Sequence, residues 1–311
     1  GLFAQRRNLV RPSFLRMIRD ILRFGREAPA VLAVPDDHRT VAEFVKDGRY
    51  GDAFVSQYLV PMGAAIWSCP PGVFRAFPIR FVVEFMQNHS LLSVGGRPVW
   101  RVVRGGSSRY VERLTGPFQN RIRLSSPVRL ISRRPDAVEV VSAAGAEPFE
   151  HVIVACHADQ ALAMLADPSE AEREVLSAFP YQMNDVVLHT DTSLLPRARR
   201  AWAAWNYRTG EGRDDRSTVT YNMNILQRLA AREVFLVTLN ETGAIDPSRI
   251  LGRYAYAHPV YTSRRAAAQR RHGELIARNR TSFCGAYWGY GFHEDGVRSA
   301  LAVAAAFGVR L

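Results

Sequence analysis

The fold is decided near the end of the chain, by Thr281-Ser-Phe-Cys-Gly-Ala-Tyr-Trp-Gly-Tyr-Gly-Phe-His-Glu-Asp-Gly-Val-Arg-Ser-Ala300. The apolar run Ser282 to Cys284 predicts a strand, and a long helix is expected from about His293 to Phe307. Three glycines lie between them, at Gly285, Gly289 and Gly291. Glycines let a backbone approach a ligand closely, and the N–H groups at a helix start favour an anion or an electron-rich carbonyl. By spacing alone, a ligand-binding turn and a plain structural connection explain this stretch equally well.

A second stretch of interest lies earlier, at Gly105-Gly-Ser-Ser-Arg-Tyr-Val-Glu-Arg-Leu114, where two glycines precede a helical pattern. Three β-like runs follow, at Ile122 to Ile131, Val138 to Val141 and His151 to Cys156. Turns are expected at Pro135-Asp136 and at Ala143 to Pro148. Helices are expected from about Asp159 to Leu165 and from Ser169 to Phe179.

The flanking regions divide into helical and β-rich parts. Helical spacing covers Pro12 to Arg26, Thr40 to Val60, Ile79 to Asn88 and Thr262 to Arg278. Strand candidates lie between Asn184 and Tyr256, at Val186 to Leu188, Ser217 to Tyr221 and Val234 to Leu239. The first helix has apolar residues on one side and arginines mostly on the other, which favours a core-packed helix with a solvated face. A helix lying on an anionic membrane is the alternative.

Composition indicates a globular protein of 311 residues, long enough for two domains, with 47% hydrophobic and 23% charged residues. The net charge of +12 is typical of nucleic-acid binders. However, Lys46 is the only lysine, and the arginines are spread over the whole length. A compositional bias explains this better than a binding stripe, so we predict no nucleic-acid partner.

The cellular setting is predicted from the cysteines and from the start of the chain. Cys69, Cys156 and Cys284 are odd in number and far apart, which favours reduced thiols in a cytoplasmic protein. No signal peptide opens the sequence, and prolines interrupt the uncharged run from Ser56 to Phe74, so no membrane span is expected. Contact between the first helix and the surface of the inner membrane remains an alternative. Because the first residue is Gly1, we expect a truncated chain.

Several chemistries are disfavoured by missing motifs. The histidines and cysteines show no metal-ligand spacing, and His293-Glu294 lacks the second histidine of a His-Glu-x-x-His site. The sequence contains no Gly-x-Ser-x-Gly elbow and no phosphate loop ending in Gly-Lys. No metal site is therefore predicted, and no residue is identified as catalytic.

The glycine-rich end resembles the C-terminal flavin-binding motif of the superfamily of flavin-containing amine oxidases, protoporphyrinogen oxidases and phytoene desaturases. The resemblance implies FAD, with its pyrophosphate or ribityl chain near Gly285 and Ala286 and the turn continuing through Gly291. It also implies that Glu294, Asp295 and Gly296 match the Met-Glu-Gly that opens the family's helix, with the Glu294 N–H near flavin O2. Relatives often have an acidic residue where Tyr287 stands.

The middle of the chain is similar to the same superfamily, through Gly105 to Leu114, Pro127-Val-Arg-Leu-Ile131 and Val152-Ile-Val-Ala-Cys156. The resemblance implies that the backbone of Val128 contacts the adenine. A bacterial subgroup of amine-oxidase-like proteins resembles nearly the whole chain, for example at His258-Pro-Val-Tyr261. Such proteins open with a strand, Gly-x-Gly-x-x-Gly and a helix, none of which is present here. The comparison implies that roughly 80 to 100 residues precede Gly1, enough for that βαβ unit.

These observations predict an α/β protein with two interleaved domains. Residues 103–160 and 279–311 would form a Rossmann-like FAD-binding domain without its first βαβ unit. Residues 1–102 and 161–278 would form an α+β substrate domain with a mixed or antiparallel sheet. The resemblance implies an FAD-dependent oxidoreductase that transfers a hydride from a substrate C–H bond to flavin N5. An apolar or lipid acyl substrate is favoured, because the region from Tyr58 to Phe85 is rich in large apolar and aromatic residues that could line a tunnel. Core packing explains that region at least as well. Two alternatives stay open: a non-catalytic module that binds a lipid or a partner, and a nucleic-acid-binding protein.

Overall fold

The computed structural model describes residues 4–34, 37–67, 69–93, 95, 99, 101–208, 218–262 and 264–310. Most of the charged loop around 209–217, including the predicted strand start at Ser217, lies outside these ranges. Within them the chain forms two compact units, each built from two segments. Unit 1 contains residues 1–100 and 182–260, and unit 2 contains residues 101–181 and 261–311. The predicted interleaving of two domains is confirmed.

The helices of the described ranges are mostly short. They are α1 (Pro12–Glu27), α2 (Val41–Asp47), α3 (Asp52–Phe54), α4 (Val60–Trp67), α5 (Pro71–Arg75), α6 (Ile79–Asn88), α7 (Ser108–Thr115), α8 (Ala158–Met164), α9 (Glu170–Leu176), α10 (Met223–Gln227), α11 (Arg265–Arg270) and α12 (His293–Ala305). A π-helical stretch, Val55–Leu59, joins α3 to α4. In the described part of the chain, no helix is both long enough and apolar enough to cross a bilayer.

The strands that the structure describes form three sheets. They are β1 (Leu130–Arg133), β2 (Val138–Ser142), β3 (Gly145–Phe149), β4 (Val152–Val154), β5 (Tyr181–His189), β6 (Trp205–Tyr207), β7 (Val219–Asn222), β8 (Leu236–Leu239), β9 (Ile250–Pro259) and β10 (Thr281–Phe283). Unit 1 holds the order β6-β7-β8-β5-β9, in which the β6–β7, β7–β8 and β5–β8 pairs are antiparallel. Unit 2 holds the antiparallel sheet β1-β2-β3 and the parallel pair β10–β4.

The helical half of unit 1 has an aromatic core. Phe24 of α1 contacts the rings of Phe44, Tyr50 and Phe54, and Trp67 of α4 stacks on Phe74 of α5. Helix α2 begins with a capping box, because the Thr40 side chain accepts from Glu43 N while Glu43 accepts from Thr40 N.

The sheet of unit 1 has a buried row of polar side chains, one on each of four neighbouring strands. Asn206 Nδ2 donates to Thr220 O, Thr220 Oγ1 bonds Thr238 Oγ1 at 2.9 Å, and Thr238 Oγ1 bonds His189 Nε2 at 2.8 Å. Every member of the row is buried and hydrogen-bonded, which is what a polar group inside a core requires.

An apolar core in unit 2 surrounds the parallel strand pair. Val154 of β4 and Phe283 of β10 lie in it, together with Ile131 and Val138 of the antiparallel sheet. Side chains of α8, α9 and α11 complete this core. Unit 2 contains residues 161–181 and 261–278, which were predicted to belong to the substrate domain. It also contains the predicted flavin-binding segments, 103–160 and 279–311. The assignment of cofactor binding to those segments stays a prediction.

Three predictions about elements were wrong. Residues 143–148 were expected to form a turn, but only Ala143 and Ala144 do so, and Gly145–Phe149 is strand β3. The run from Ile122 to Ile131 was expected to be β throughout, whereas β1 begins at Leu130. The helix expected from Thr262 to Arg278 is α11 followed by a separate 3-10 helix, His272–Leu275.

Candidate functional site

The candidate site is the turn between β10 and α12 in unit 2. Strand β10 runs parallel to β4, with Phe283 opposite Val154, and Cys284 N donates to Val154 O at 3.0 Å. The two strands come from parts of the chain more than a hundred residues apart. Their carboxyl ends lie together, and this is the edge at which open α/β sheets bind ligands.

Gly285 has to be glycine for structural reasons. Its φ of +156° is a conformation that L side chains rarely adopt, and an added Cβ would lie 2.6 Å from Cε1 of Tyr287. The backbone of Gly285 is also held on both sides by one hydroxyl. Gly285 N donates to Ser299 Oγ at 2.9 Å, and that hydroxyl lies 3.1 Å from Gly285 O and 2.8 Å from Gly296 O. Ser299, which is buried in α12, thus fixes the strand end against the helix.

The start of α12 is fixed by Asp295. Its carboxylate accepts from Tyr290 N at 3.0 Å and from Phe292 N at 2.9 Å, and this is a one-sided cap because the Phe292 side chain has no acceptor to offer in return. The side chain of Asp295 therefore stabilises the turn itself. An acidic residue in the first turn also complements the helix dipole.

The first N–H groups of α12 remain available for a ligand. The N–H groups of Asp295 and Gly296 bond Phe292 O, whereas those of His293 and Glu294 have no acceptor among the described residues. Glu294 is exposed, and its carboxylate accepts from Arg298 Nε at 3.3 Å. A Cβ added at Gly296 would meet Ala286 N at 3.8 Å, an ordinary contact. Protein packing therefore leaves room beside Gly296, and a ligand could approach the helix start there.

A buried polar clamp holds the turn from the side of α11. Arg265 Nη2 donates to the carbonyl oxygens of Tyr287 and Gly289, both at 3.0 Å. Gln269 Nε2 donates to the same two oxygens at 2.9 and 2.7 Å. Tyr261 adds a third contact, because its hydroxyl donates to Tyr290 O at 2.6 Å. The sequence interpretation missed this clamp.

The cysteine, tyrosine and histidine side chains packed around the turn, which are buried or half-buried, are neutral near pH 7. Burial raises the pKa of the Cys156 and Cys284 thiols, which disfavours the reactive thiolate. Burial also raises the pKa of Tyr181 to about 12 and lowers the pKa of His272. His272 Nε2–H donates to Phe283 O at 2.7 Å, and its ring stacks on Trp288. These groups support the turn and offer no activated nucleophile.

Helix α7, which follows the Gly105-Gly106 pair, contacts the start of α12. Tyr110 of α7 hydrogen-bonds His293 Nδ1 at 2.7 Å, at the first residue of α12. Gly105 and Gly106 have φ of +82° and +88°, so both need the conformational freedom of glycine. The structure therefore brings together the two motifs on which the family resemblance rests.

The predicted site residues do not all lie in this turn. Gly285, Ala286 and Gly291 do, with Gly291 at a φ of +96°, whereas Glu294, Asp295 and Gly296 lie in the first turn of α12 that follows. Val128 lies in the extended segment that leads into β1, two residues before that strand begins. Its assignment to the adenine stays a prediction. Among the residues that the structure describes, no three His, Cys, Asp or Glu side chains are grouped to hold a metal ion.

A parallel strand pair that ends in a glycine turn at a helix N-terminus is an arrangement in which α/β proteins bind dinucleotides. The family of flavin-containing amine oxidoreductases matches residues 3–224, and the chain belongs to that family. The match includes Gly105 to Cys156 and ends before the β10 turn. A comparison with curated protein sequences gives no significant match.

Solved structures share the fold at low sequence identity. A CLA-producing fatty acid isomerase from P. acnes is 13% identical, with a TM-score of 0.64 over 96% of this chain and 76% of the isomerase. Cyclohexylamine oxidase from Brevibacterium oxydans is 14% identical, with a TM-score of 0.59 over 93% of this chain and 74% of the oxidase. Putrescine oxidase bound to putrescine is 14% identical, with a TM-score of 0.60 over 96% of this chain and 76% of that enzyme. These likenesses establish the fold alone.

Proposed function

We propose that the protein is an FAD-dependent oxidoreductase that accepts a hydride from a C–H bond of an apolar acyl substrate. Membership of a flavin-containing family supports the type of cofactor. The observation that carries the proposal is the open start of α12, where the N–H groups of His293 and Glu294 have no acceptor in the described part of the chain while Asp295 and Ser299 hold their surroundings.

When bound, the flavin supplies the redox chemistry by taking up the hydride at N5. The protein supplies binding and orientation. In this proposal the N–H groups at the start of α12 donate to the electron-rich O2 edge of the ring. Gly285 and Ala286 would hold the pyrophosphate or ribityl chain, and the backbone of Val128 would contact the adenine. Ser299 and the α11 clamp keep the turn in shape, so that these donors need not reorganise when the cofactor binds.

An acyl substrate is favoured by one likeness, because the similar fatty acid isomerase acts on a fatty acid. The aromatic stretch between Tyr58 and Phe85 does not add support. Its large side chains Phe74, Phe77 and Phe85 are buried against Trp67, so they form core and line no tunnel.

The cofactor part is tested with Gly296→Val in the full chain that the gene encodes. Valine and glycine differ in helix propensity by about half a kcal/mol, so the fold should tolerate the change. A valine side chain would occupy the space into which the ring is placed, so the variant should lose flavin absorbance. The apo-protein should unfold at nearly the same temperature as the apo wild type. A variant that keeps stoichiometric FAD would show that the ring lies elsewhere.

The substrate part is tested separately by anaerobic mixing of the flavin-loaded protein with fatty acids or with putrescine. Bleaching of the flavin band by a fatty acid supports the acyl substrate. Bleaching by the amine alone would overturn the substrate assignment and leave the cofactor assignment in place.

A further inference from the structure

The face of α1 that points away from the core carries both leucines and arginines. The helix buries Met17, Asp20 and Phe24, and it packs against α3. The opposite face is a stripe at helical spacing, made of Arg11, Leu15, Arg19, Leu22 and Arg26. We call this stripe, together with Leu9 and Val10 just before the helix, the α1 surface.

The apolar part of the α1 surface is strongly exposed. Leu15 and Leu22 are 46% and 48% exposed, and Leu9 and Val10 are 54% and 80% exposed. A single exposed leucine on a soluble protein needs no explanation. Leu15 and Leu22 lie on the same face of α1, and Leu9 and Val10 precede that helix in a 3-10 turn, so exposed apolar residues are concentrated in this part of the chain, as they are at interaction sites.

The charge of the α1 surface has one sign. Arg11, Arg19 and Arg26 are exposed, and none of them forms a salt bridge with a residue that the structure describes. The two acidic residues of α1 are used elsewhere. Asp20 is buried and accepts from Gly51 N, and Glu27 accepts from the hydroxyl of Tyr50. Arg23, which lies beside the stripe, packs over the Tyr50 ring at 3.9 Å.

We infer that the α1 surface binds the headgroup region of an anionic lipid membrane. An arginine guanidinium pairs with lipid phosphate in a bidentate manner, and its aliphatic stem lies along apolar surface while the charge stays with the headgroups. Leucines between such arginines enter the boundary between headgroups and acyl chains, as in helices that lie in the plane of a membrane. Charge complementarity selects the anionic lipid, and the exposed leucines select a bilayer over a purely polyanionic partner. The inference does not depend on the proposed redox activity.

The inference is tested by co-sedimentation of the full chain with phosphatidylglycerol/phosphatidylcholine vesicles and with phosphatidylcholine vesicles. We expect binding to the anionic vesicles only, and weaker binding at 0.5 M salt because the charges are then screened. The double variant Arg11→Gln/Arg19→Gln should lose about thirtyfold in vesicle affinity, since each arginine at an anionic surface contributes about fivefold. The double variant Leu15→Ser/Leu22→Ser should lose about tenfold through the lost apolar burial.

Matched controls come from another exposed part of unit 1. Leu229→Ser and Arg232→Gln replace the same residue types at exposed positions after α10, and both should bind vesicles like the wild type. Circular dichroism checks that every variant keeps its helices.

Three outcomes would overturn the inference. The first is a wild type that does not bind phosphatidylglycerol vesicles at 0.1 M salt. The second is vesicle binding that survives both double variants or falls equally in the controls. The third is binding to single-stranded RNA or duplex DNA that depends on Arg11 and Arg19, combined with vesicle binding that is indifferent to Leu15 and Leu22. That result would identify a polyanion site.

Discussion

Arg265 is a buried cation without a carboxylate partner. Only 2% of it is exposed, and its Nε and Nη1 have no hydrogen-bond partner among the described residues. Burial lowers the pKa of its guanidinium, although an arginine still carries its charge at pH 7. Its stabilising contacts are two carbonyl oxygens and the rings of Tyr261 and Phe179, whose centroids lie 4.0 and 5.3 Å from Cζ. Because Gln269 donates to the same carbonyls, the two side chains are redundant.

This redundancy predicts strong non-additivity. Arg265→Met removes two charge-assisted hydrogen bonds but also removes an unpaired buried charge, so the net cost should be below about 1 kcal/mol. Gln269→Met should cost a similar amount, because Arg265 still serves both carbonyls. The double variant leaves Tyr287 O and Gly289 O without donors and should cost about 2–4 kcal/mol. Urea unfolding of the four proteins gives the coupling energy, and additive costs would contradict the shared clamp.

His189 gives the stability of unit 1 a pH dependence. Burial lowers its pKa, and its tautomer is fixed, because Asp191 N donates to Nδ1 while Nε2–H donates to Thr238. The unfolded chain therefore binds this proton more readily than the folded one. The contribution of His189 is complete above the unfolded pKa of about 6.5 and is lost as pH falls through the lower folded value.

We expect the free energy of unfolding to fall between pH 6.5 and 5 by at most about 1.4 kcal/mol per pH unit from this group. In His189→Gln that part of the slope should disappear. Burial also lowers the pKa of His151 and His272 in unit 2, so these two histidines add a background slope that the variant retains. An unchanged slope in the variant would show that His189 titrates normally.

Helix α9 contains a buried and an exposed ion pair of the same chemistry. The Glu172 carboxylate accepts from Arg133 Nη1 at 2.5 Å, with both side chains about 5% exposed or less, and it also accepts from Ser169 N. Glu174 accepts from Arg271 at 2.8 Å, but its side chain is 52% exposed. Breaking a buried pair leaves an uncompensated charge, whereas an exposed pair is screened by water.

Glu172→Ala is therefore expected to destabilise unit 2 by about 2–4 kcal/mol, since Arg133 keeps only Asp167 as a carboxylate partner, beside the Thr281 hydroxyl, and the helix loses its capping box. Glu174→Ala should change stability by less than about 1 kcal/mol. Both variants gain the same helix propensity, so their difference reports the buried ion pair together with the lost capping box. Thermal unfolding measures it, and equal costs would show that the Arg133 pair is as hydrated as the surface one.

The elements that the sequence predicted best are those specified by local signals. The start of α12 and strand β10 were confirmed because three glycines and an acidic first turn define them within a few residues. Strand β3 was missed because Gly145 and Pro148 are typical of turns. It lies at the edge of its sheet, where a proline without an N–H is tolerated.

The clamp on the β10 turn could not be predicted, because it depends on contacts rather than on local pattern. Arg265 and Gln269 are spaced four residues apart in an alanine-rich helix and resemble any solvated pair. Only the packing of α11 places both side chains on carbonyls about twenty residues away. The structure around Val128 could not be predicted from local pattern either. Its sequence indicates a strand, but strand β1 begins only at Leu130.

At the scale of the whole molecule, the two units differ in the number of tryptophans that can report on their unfolding. The sequence contains 5 tryptophans, and only Trp288 belongs to unit 2. Trp288 lies in the β10 turn, where it stacks on His272 at 4.0 Å between ring centroids. A variant in which the other four tryptophans are replaced by phenylalanine therefore reports on unit 2 alone, beside the proposed flavin.

This reporter tests whether unit 2 binds the cofactor. A ligand that binds only the folded state stabilises it by about 2.7 kcal/mol at a hundredfold excess over its dissociation constant. FAD should therefore shift the urea transition followed by Trp288 to higher urea. A Trp288→Phe protein, which reports on unit 1 through the four remaining tryptophans, should shift less if the units unfold separately. Equal shifts would mean that the units unfold as one, because unfolding either then costs the bound cofactor. A shift confined to unit 1, with Trp288 unaffected, would contradict the assignment of flavin binding to the β10 turn, and so would the absence of any shift at FAD concentrations that saturate a typical flavoprotein.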